Sequence, residues 1–245
     1  MSLNFITNKN MTNYKNKVLD SSKFYNNSFL NFDFKLTDFN YKSLKPFFRG
    51  DYALELGPAL GQMTKFLIND FKTIDLIEGS KELLDQIPNY TNIIKHHSYF
   101  EEFNTEKKFD TIIMSHVLEH IEKPINVLQH IYKWLSDDGV FLISVPNAKS
   151  VHRLAAVEMG LLKSEYELNQ RDHELGHKRV YDLETLKQDV LNSGYKIINE
   201  GGVFFKPISN GQIESNWTEE MILGFYNLGK KFPKYCAEIF VVCTK

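Results

Sequence analysis

The stretch ALELGPALGQMT, Ala53 to Thr64, decides the fold. Tyr52 to Leu56 is a short apolar run carrying one carboxylate, Glu55, and it closes on Gly57. Gln62 to Asn69 then shows helical spacing through Met63, Phe66 and Leu67. A strand therefore meets a helix through a turn that bears glycines at 57 and 61. Glycine lets backbone approach a ligand closely, and the start of a helix presents free N–H groups. A carboxylate ahead of such a turn suits a cationic amino-acid nucleoside. The turn lacks the three-glycine G-x-G-x-x-G needed for tight pyrophosphate contact, and no phosphate-binding lysine follows it.

Moving outward, the alternation continues. Thr73 to Ile77 is a second buried strand, closing at Glu78, where an acidic side chain can accept both hydroxyls of a ribose. Ser80 is an N-cap for a helix over Glu82 to Ile87, which Pro88 ends. Ile93 to His96 and Phe109 to Ser115 are strands three and four. Pro124 to Leu135 is an amphipathic helix with Pro124 near its first position. Asp137-Asp138-Gly139 is a turn into strand five, Val140 to Val145. After Pro146 the rhythm breaks, then resumes with a helix over Asp182 to Asn192, a strand over Tyr195 to Phe205 and a last strand over Ala237 to Cys243. Apolar strands alternating with helices imply a mostly parallel sheet covered on both faces.

The domain reading follows: an N-terminal extension or lid over 1–49, and one α/β domain over 50–245 with substrate-side excursions at 147–180 and 207–234. Residues 1–20 are polar and expected to fray. The aromatics Phe24, Tyr25, Phe29, Phe32, Phe34, Phe39, Tyr41, Phe47 and Phe48 form a segment packing across the open end of the domain, or supply apolar lining to a substrate pocket.

Composition narrows the function classes. The 245 residues carry a net charge of −2, 42% hydrophobic and 24% charged residues, ordinary for a soluble domain and without the field that draws a protein to nucleic acid or an anionic membrane. No apolar run approaches the ~20 residues of a membrane span, and no signal peptide is read. Cys236 and Cys243 match no zinc or redox spacing and read as buried free thiols of a cytoplasmic protein.

With Glu55, the glycine turn and Glu78 in hand, the strand-four block FDTIIMSHVLEHIEKP (109–124) and the strand-five block LSDDGVFLISVPNAKS (135–150) complete a pattern. Over roughly residues 50–205 it resembles the class I S-adenosylmethionine-dependent methyltransferases. The resemblance implies a Rossmann-like, seven-stranded, mostly parallel sheet with helices on both faces, plus N-terminal and late helical insertions. It implies S-adenosylmethionine as cofactor, held by Glu55, Gly57, Pro58, Gly61, Glu78, Gly79, Ser98, Tyr99, Ser115 and His116. Ala59 stands where the family's first motif has its middle glycine. His97-Ser98-Tyr99-Phe100 lacks the Asp that many members direct at the adenine amine, so Ser98, Tyr99 or backbone takes that contact. HVLEHI and the later GHKRVYDLETLKQDVLNSGY (176–195) resemble the small-molecule and sugar branch, including enzymes of surface-polysaccharide and ubiquinone pathways.

Methyl transfer to a hydroxyl needs an aligned nucleophile and a group to take its proton, a task suited to histidine. His116, His120 and His177 are the catalytic candidates. His152 and His173 are further candidates for that role, and His173 joins Arg171, Arg179, Arg153 and Asn147 as candidate acceptor contacts. Arg171, Lys178 and Arg179 can grip an acidic acceptor such as a sugar-nucleotide phosphate or a uronate. A divalent metal on Glu119, His120 and His177 is an alternative, resembling the Glu-His pair and later His of small-RNA 3′-end 2′-O-methyltransferases. Asn210 and Gln212 can bond a polar acceptor, while Phe204 and Phe205 read as core. The expected partner is a small-molecule acceptor, carbohydrate in kind, with a homodimer admitted as the assembly. Alternatives are a phenolic quinone precursor or RNA as acceptor, and, outside catalysis, an inactive cofactor-binding partner protein.

Overall fold

The computed structural model describes residues 31–245, so Phe24, Tyr25, Phe29 and the polar stretch 1–20 lie outside the described residues. Seven strands form one sheet: β1 (Tyr52–Leu56), β2 (Thr73–Glu78), β3 (Ile93–His97), β4 (Phe109–Ser115), β5 (Leu135–Pro146), β6 (Lys196–Val203) and β7 (Glu238–Thr244). Their order is β3-β2-β1-β4-β5-β7-β6. The first five run parallel, and β7 lies antiparallel to both β5 and β6. The sheet reverses direction of growth between β1 and β4, which opens a crevice at the carboxyl ends of those strands.

Alternate residues of each central strand enter different cores, as the two-residue period requires. Leu54, Leu56, Ile112, Met114, Phe141 and Ile143 face α4 (Pro124–Tyr132) and α7 (Leu183–Asn192), which contribute Leu128, Ile131, Leu186 and Val190. Ala53, Ile113, Val140 and Leu142 face the other way, toward α1 (Asn31–Leu44), α2 (Thr64–Leu67) and α3 (Lys81–Gln86). The same side receives the late insertion, α8 (Asn210–Asn216) and α9 (Glu219–Gly229). The first excursion after β5 supplies α5 (Val151–Glu158) and α6 (Gln170–Leu175).

Helix α1 is bound to the domain by burial of Phe32, Leu36, Phe39 and Leu44. Phe39 stacks on Tyr226 of α9 at 4.2 Å between ring centroids and lies parallel to Phe204 at 5.8 Å. Four buried apolar side chains, Phe39 and Leu44 fully so, at up to about 1.5–3 kcal/mol each make this docking a substantial part of domain stability. Asp33, Leu36 and Thr37 line the central cavity, whereas the buried aromatics of α1 pack into the core.

Three local readings change. Asp137-Asp138-Gly139 is a bulge inside β5 rather than a turn before it, because the pairing shifts from Phe109–Leu135 to Thr111–Val140. The helix expected from Gln62 shortens to Thr64–Leu67, preceded by a turn that the Gly61 N–H closes on the Pro58 carbonyl at 2.7 Å. Helix α4 stops at Tyr132, and Trp134 then packs into the core on the way to β5. Both Cys236 and Cys243 are buried free thiols.

Candidate active site

The turn after β1 is built by backbone that side chains resist. Gly57 has φ +66°, and a Cβ there would lie 2.6 Å from Val117 Cγ2, so the position accepts only glycine. Ala59 also adopts a left-handed φ of 48°. The position where the related motif carries glycine thus keeps glycine's conformation with an alanine, at a cost on the order of 1 kcal/mol. Its N–H donates to Glu78 Oε2 at 3.1 Å, and Ser80 N–H donates to Glu78 Oε1 at 2.8 Å. The Gly79 N–H bonds Glu78 as well, and of the about four lone-pair sites on a carboxylate the remainder is open to hydroxyl donors. The Ser98 N–H donates to the Glu78 carbonyl and the Ser98 hydroxyl to the Tyr99 carbonyl, which places the β3 loop beside Glu78.

Glu55 is 3% exposed and accepts one bond from the Thr64 hydroxyl at 2.7 Å. Burial pushes its carboxyl up to about 7; the Thr64 bond works against this and nearby Glu78 adds to it. A buried acid with one partner, beside a cradle that a Cβ would fill, fits the amino-acid end of a cationic nucleoside. Gly57, Pro58 and Ala59 line the same space, so the residues present fit S-adenosylmethionine.

From this loop a cavity of about 400 Å³ runs beneath α1 and into the two excursions. Its reactive wall carries His116, Glu119, Asp172, His177 and Glu238. His116 sits just past β4 with φ 55°, a strained turn that aims its ring across the strand ends. Burial alone would lower His116, but Glu238, 3.1 Å from its Nε2, together with Glu119 and Asp33, raises it to about 9. His116 is therefore a cation at neutral pH and cannot accept a proton there. His120 is driven the other way, to about 3, by burial and the neighbouring His177 and His116. It is a weak base, and it does not line the cavity.

His177 has the geometry of a positioned base. Its Nδ1 meets Asp172 Oδ1 at 3.0 Å, which leaves Nε2 turned toward Glu119 at 4.0 Å, beyond hydrogen-bond reach. Burial works against ionised Asp172, yet His177, the Asn169 N–H and Arg153 hold its carboxyl below the usual range. Asp172 is fixed in turn by a capping box with Asn169 at the start of α6. Glu119 is 1% exposed, and neither carboxylate oxygen has a hydrogen-bond partner among the described residues. Burial raises it against the pull of His116 and His177. Ligand atoms of Glu119, His120 and His177 all lie within 4.8 Å of one another.

Of the acceptor contacts expected from the sequence, Asn147, Arg153 and Arg171 line the cavity, while Arg179 and His173 do not. Asn147 donates to the Lys234 and Cys236 carbonyls at 2.9 and 2.8 Å and accepts from Lys149 N–H, so both its N–H donors are spent in clasping the chain before β7. Arg153 reaches the cavity wall but spends its guanidinium on the Glu165 and Glu167 carbonyls and on Asp172. Arg179 caps the carbonyls of Ile121 and Glu122, and Lys178 pairs with Glu122. His173 is exposed and off the cavity. Arg171 does line it, 2.8 Å from Asp33. Ser115 lines it as well, sharing a 2.7 Å bond with the Ser144 hydroxyl.

Four charged cavity residues escaped the sequence reading: Asp33, Asp172, Lys206 and Glu238. Glu238 opens β7, and because β7 is antiparallel its first residue pairs with Pro146 at the carboxyl end of β5. Asn40 of α1 donates to Glu238 Oε2 at 2.6 Å and to the Ser144 hydroxyl at 2.9 Å, tying α1 to the site floor.

The family model of the methyltransferase domain matches residues 34–200. No curated protein matches the sequence. Among solved structures, the chain resembles an S-adenosylmethionine-dependent methyltransferase from Mesorhizobium loti, with TM-score 0.59 and 14% identity, over 84% of this chain and 96% of that one. It resembles one from Archaeoglobus fulgidus with TM-score 0.56 and 19% identity, over 85% and 94% of the two chains. The N-methyltransferase NodS from Bradyrhizobium japonicum, solved with S-adenosyl-L-homocysteine, gives TM-score 0.53 at 14% identity over 85% and 84%. At such identities these likenesses speak to the fold.

Proposed function

The chain belongs to the methyltransferase-domain family and is an S-adenosylmethionine-dependent methyltransferase, and we propose that it methylates a hydroxyl of a polar small molecule with His177 as general base. The single observation that carries this reading is the Asp172–His177 pair on the wall of the cavity that begins at the glycine loop. The acceptor class proposed is a sugar or sugar-nucleotide precursor of capsular or lipo-polysaccharide, in the cytoplasm. The resemblance of HVLEHI and the 176–195 block to that branch supports it, as do the charged side chains Asp33, Arg171, Lys206 and Glu238 on the cavity wall. Among the described residues no helix is long and apolar enough to cross a membrane.

Glu78 would hold the ribose hydroxyls, Ser98 and Tyr99 the adenine, and Glu55 with the 57–61 backbone the amino-acid end. When bound, the cofactor supplies an electrophilic methyl group on a sulfonium. The protein's task is then to bring an acceptor oxygen into line and remove its proton. Asp172 holds Nδ1 of His177, so Nε2 is the atom that takes this proton, and the carboxylate stabilises the imidazolium that results. His116, a cation beside Glu238, serves as a hydrogen-bond donor at the strand end instead of a base.

A second reading rests on Glu119, whose two buried oxygens lack partners, and on its closeness to His120 and His177. A divalent ion on these three would supply Lewis-acid activation of the acceptor hydroxyl, with Asp172 orienting His177 from behind. Exhaustive chelation separates the two: activity that survives supports the base, and activity lost and restored by a divalent cation supports the metal. His177→Ala tests the main reading by lowering turnover far more than cofactor affinity. Equal losses in both, or none, remove His177 from catalysis.

A further inference from the structure

The same cavity holds a half-buried cation, Lys206, that pairs with no carboxylate among the described residues. Lys206 follows β6, and its ammonium donates to the Asn210 Oδ1 at 2.9 Å. Among the described residues it forms no ion pair, although an ammonium has three donors and is costly to bury uncompensated. The neighbouring charges are already engaged. Asn210 Nδ2 donates to Asp33 Oδ1 at 2.7 Å, and Asp33 Oδ2 lies 2.8 Å from Arg171. Glu238 is taken by His116 and Asn40, and Arg153 by Asp172 and two carbonyls. Lys206 is left facing the cavity without a carboxylate of its own. Beside it His152 also lines the cavity, and its buried Nδ1 has no hydrogen-bond partner.

We infer that this wall is an anion-recognition subsite of the acceptor pocket: Lys206, with Arg171 and Asn210, holds a carboxylate or phosphate on the methyl acceptor, while His152 accepts a hydrogen bond from a neighbouring hydroxyl. This rests on the acceptor cavity assigned above and narrows its occupant to an acidic hydroxyl compound, such as a uronate or a sugar phosphate. Asp33 of α1 stands in the same network, so it tempers the site's charge and ties α1 to whatever is bound there. Burial and the nearby Arg171 lower Lys206 to about 8, against the opposing pull of Asp33 and Glu238. Those groups, with His152 of α5, are the titratable side chains that face it; burial and the neighbouring Lys206 and Arg153 push His152 down to about 2, so it stays neutral. Anion binding therefore takes up protons from about pH 8 upward, and affinity falls about tenfold per unit above it.

The test is calorimetric titration of the full chain, loaded with S-adenosylhomocysteine, using D-glucuronate, inorganic phosphate and D-glucose as probes. At least one anion is expected to bind, with D-glucose far weaker, and the anion that binds tells a carboxylate acceptor from a phosphate one. Lys206→Met should weaken the anion on the order of 100-fold, the loss expected when one partner of a buried charge pair is removed. Lys206→Arg should retain it, and Asp33→Asn should tighten it. Removing a buried charge favours folding, and circular dichroism checks that Lys206→Met folds. Equal anion affinity in the wild type and Lys206→Met, glucose binding as well as glucuronate, or no binding of either anion overturns the inference. The readout is binding without turnover, so it stands or falls separately from the base assigned to His177.

Discussion

Replacing Glu55 by Gln should make the cofactor-free protein more stable and worse at binding its cofactor. The carboxyl is buried, keeps one hydrogen bond from Thr64, and titrates near 7 instead of its ordinary 4.5. Below pH about 4.5 it is neutral in both folded and unfolded chains and carries no penalty. As pH rises toward 7 the unfolded chain ionises it and the folded chain does not, so stability is lost steadily. Above about 7 the loss levels off at about 3 kcal/mol, from 1.36 kcal/mol per unit of displacement. Glutamine keeps an oxygen for Thr64 and cannot ionise. Urea denaturation at pH 5 and pH 8.5 should therefore show Glu55→Gln about 1 kcal/mol more stable than wild type at the lower pH and about 3 kcal/mol more stable at the higher. S-adenosylmethionine selects the ionised form, so its affinity for the wild type should fall below pH 7, a slope absent in the variant. Parallel stability profiles for the two proteins would refute the assignment of Glu55 as a site acid held out of its normal range.

Other outcomes follow from single contacts. Gly57→Val should abolish cofactor binding, read by equilibrium dialysis, because even a Cβ would meet Val117 Cγ2 at 2.6 Å. Ala59→Gly should be neutral or mildly stabilising in thermal melts, since it relieves a left-handed φ of 48° and offsets the roughly 0.5–1 kcal/mol that glycine usually costs. Asp172→Asn should cut kcat by on the order of 100-fold or more while cofactor affinity holds, because His177 loses the partner that fixes its Nδ1. Asn147→Ala should destabilise by about 1–3 kcal/mol with little direct effect on acceptor KM, since it strands the Lys234 and Cys236 carbonyls.

The half of the site proposed to hold the cofactor can be read along the sequence because its parts are local. A strand, a glycine turn and a helix lie in one stretch, and Glu78 closes the very next strand. The acceptor half is assembled from distant pieces. Glu238 reaches it only because β7 runs antiparallel, which puts a strand's first residue where every other strand places its last. Lys206 enters from the loop after β6, a position with no motif. In the cluster 171–179 the polar residues look alike on paper, yet Asp172 and His177 turn inward while His173 is exposed. The capping pair Asn169–Asp172 was the readable signal there, since a residue three after an N-cap is held at the helix start. Arg153 and Arg179 satisfy backbone carbonyls, a demand of irregular chain that no side-chain pattern announces.

The central claim is that the crevice running from the glycine loop to His177 binds S-adenosylmethionine at one end and performs base-assisted transfer at the other. Calorimetric titration of S-adenosylmethionine into the wild type, Glu78→Ala and His177→Ala tests it most directly. One equivalent should bind the wild type, with affinity falling on the order of 100-fold in Glu78→Ala, which loses charge-assisted bonds to two hydroxyls. Binding should be unchanged in His177→Ala. Failure of the wild type to bind, or Glu78→Ala binding as tightly as wild type, would contradict the account.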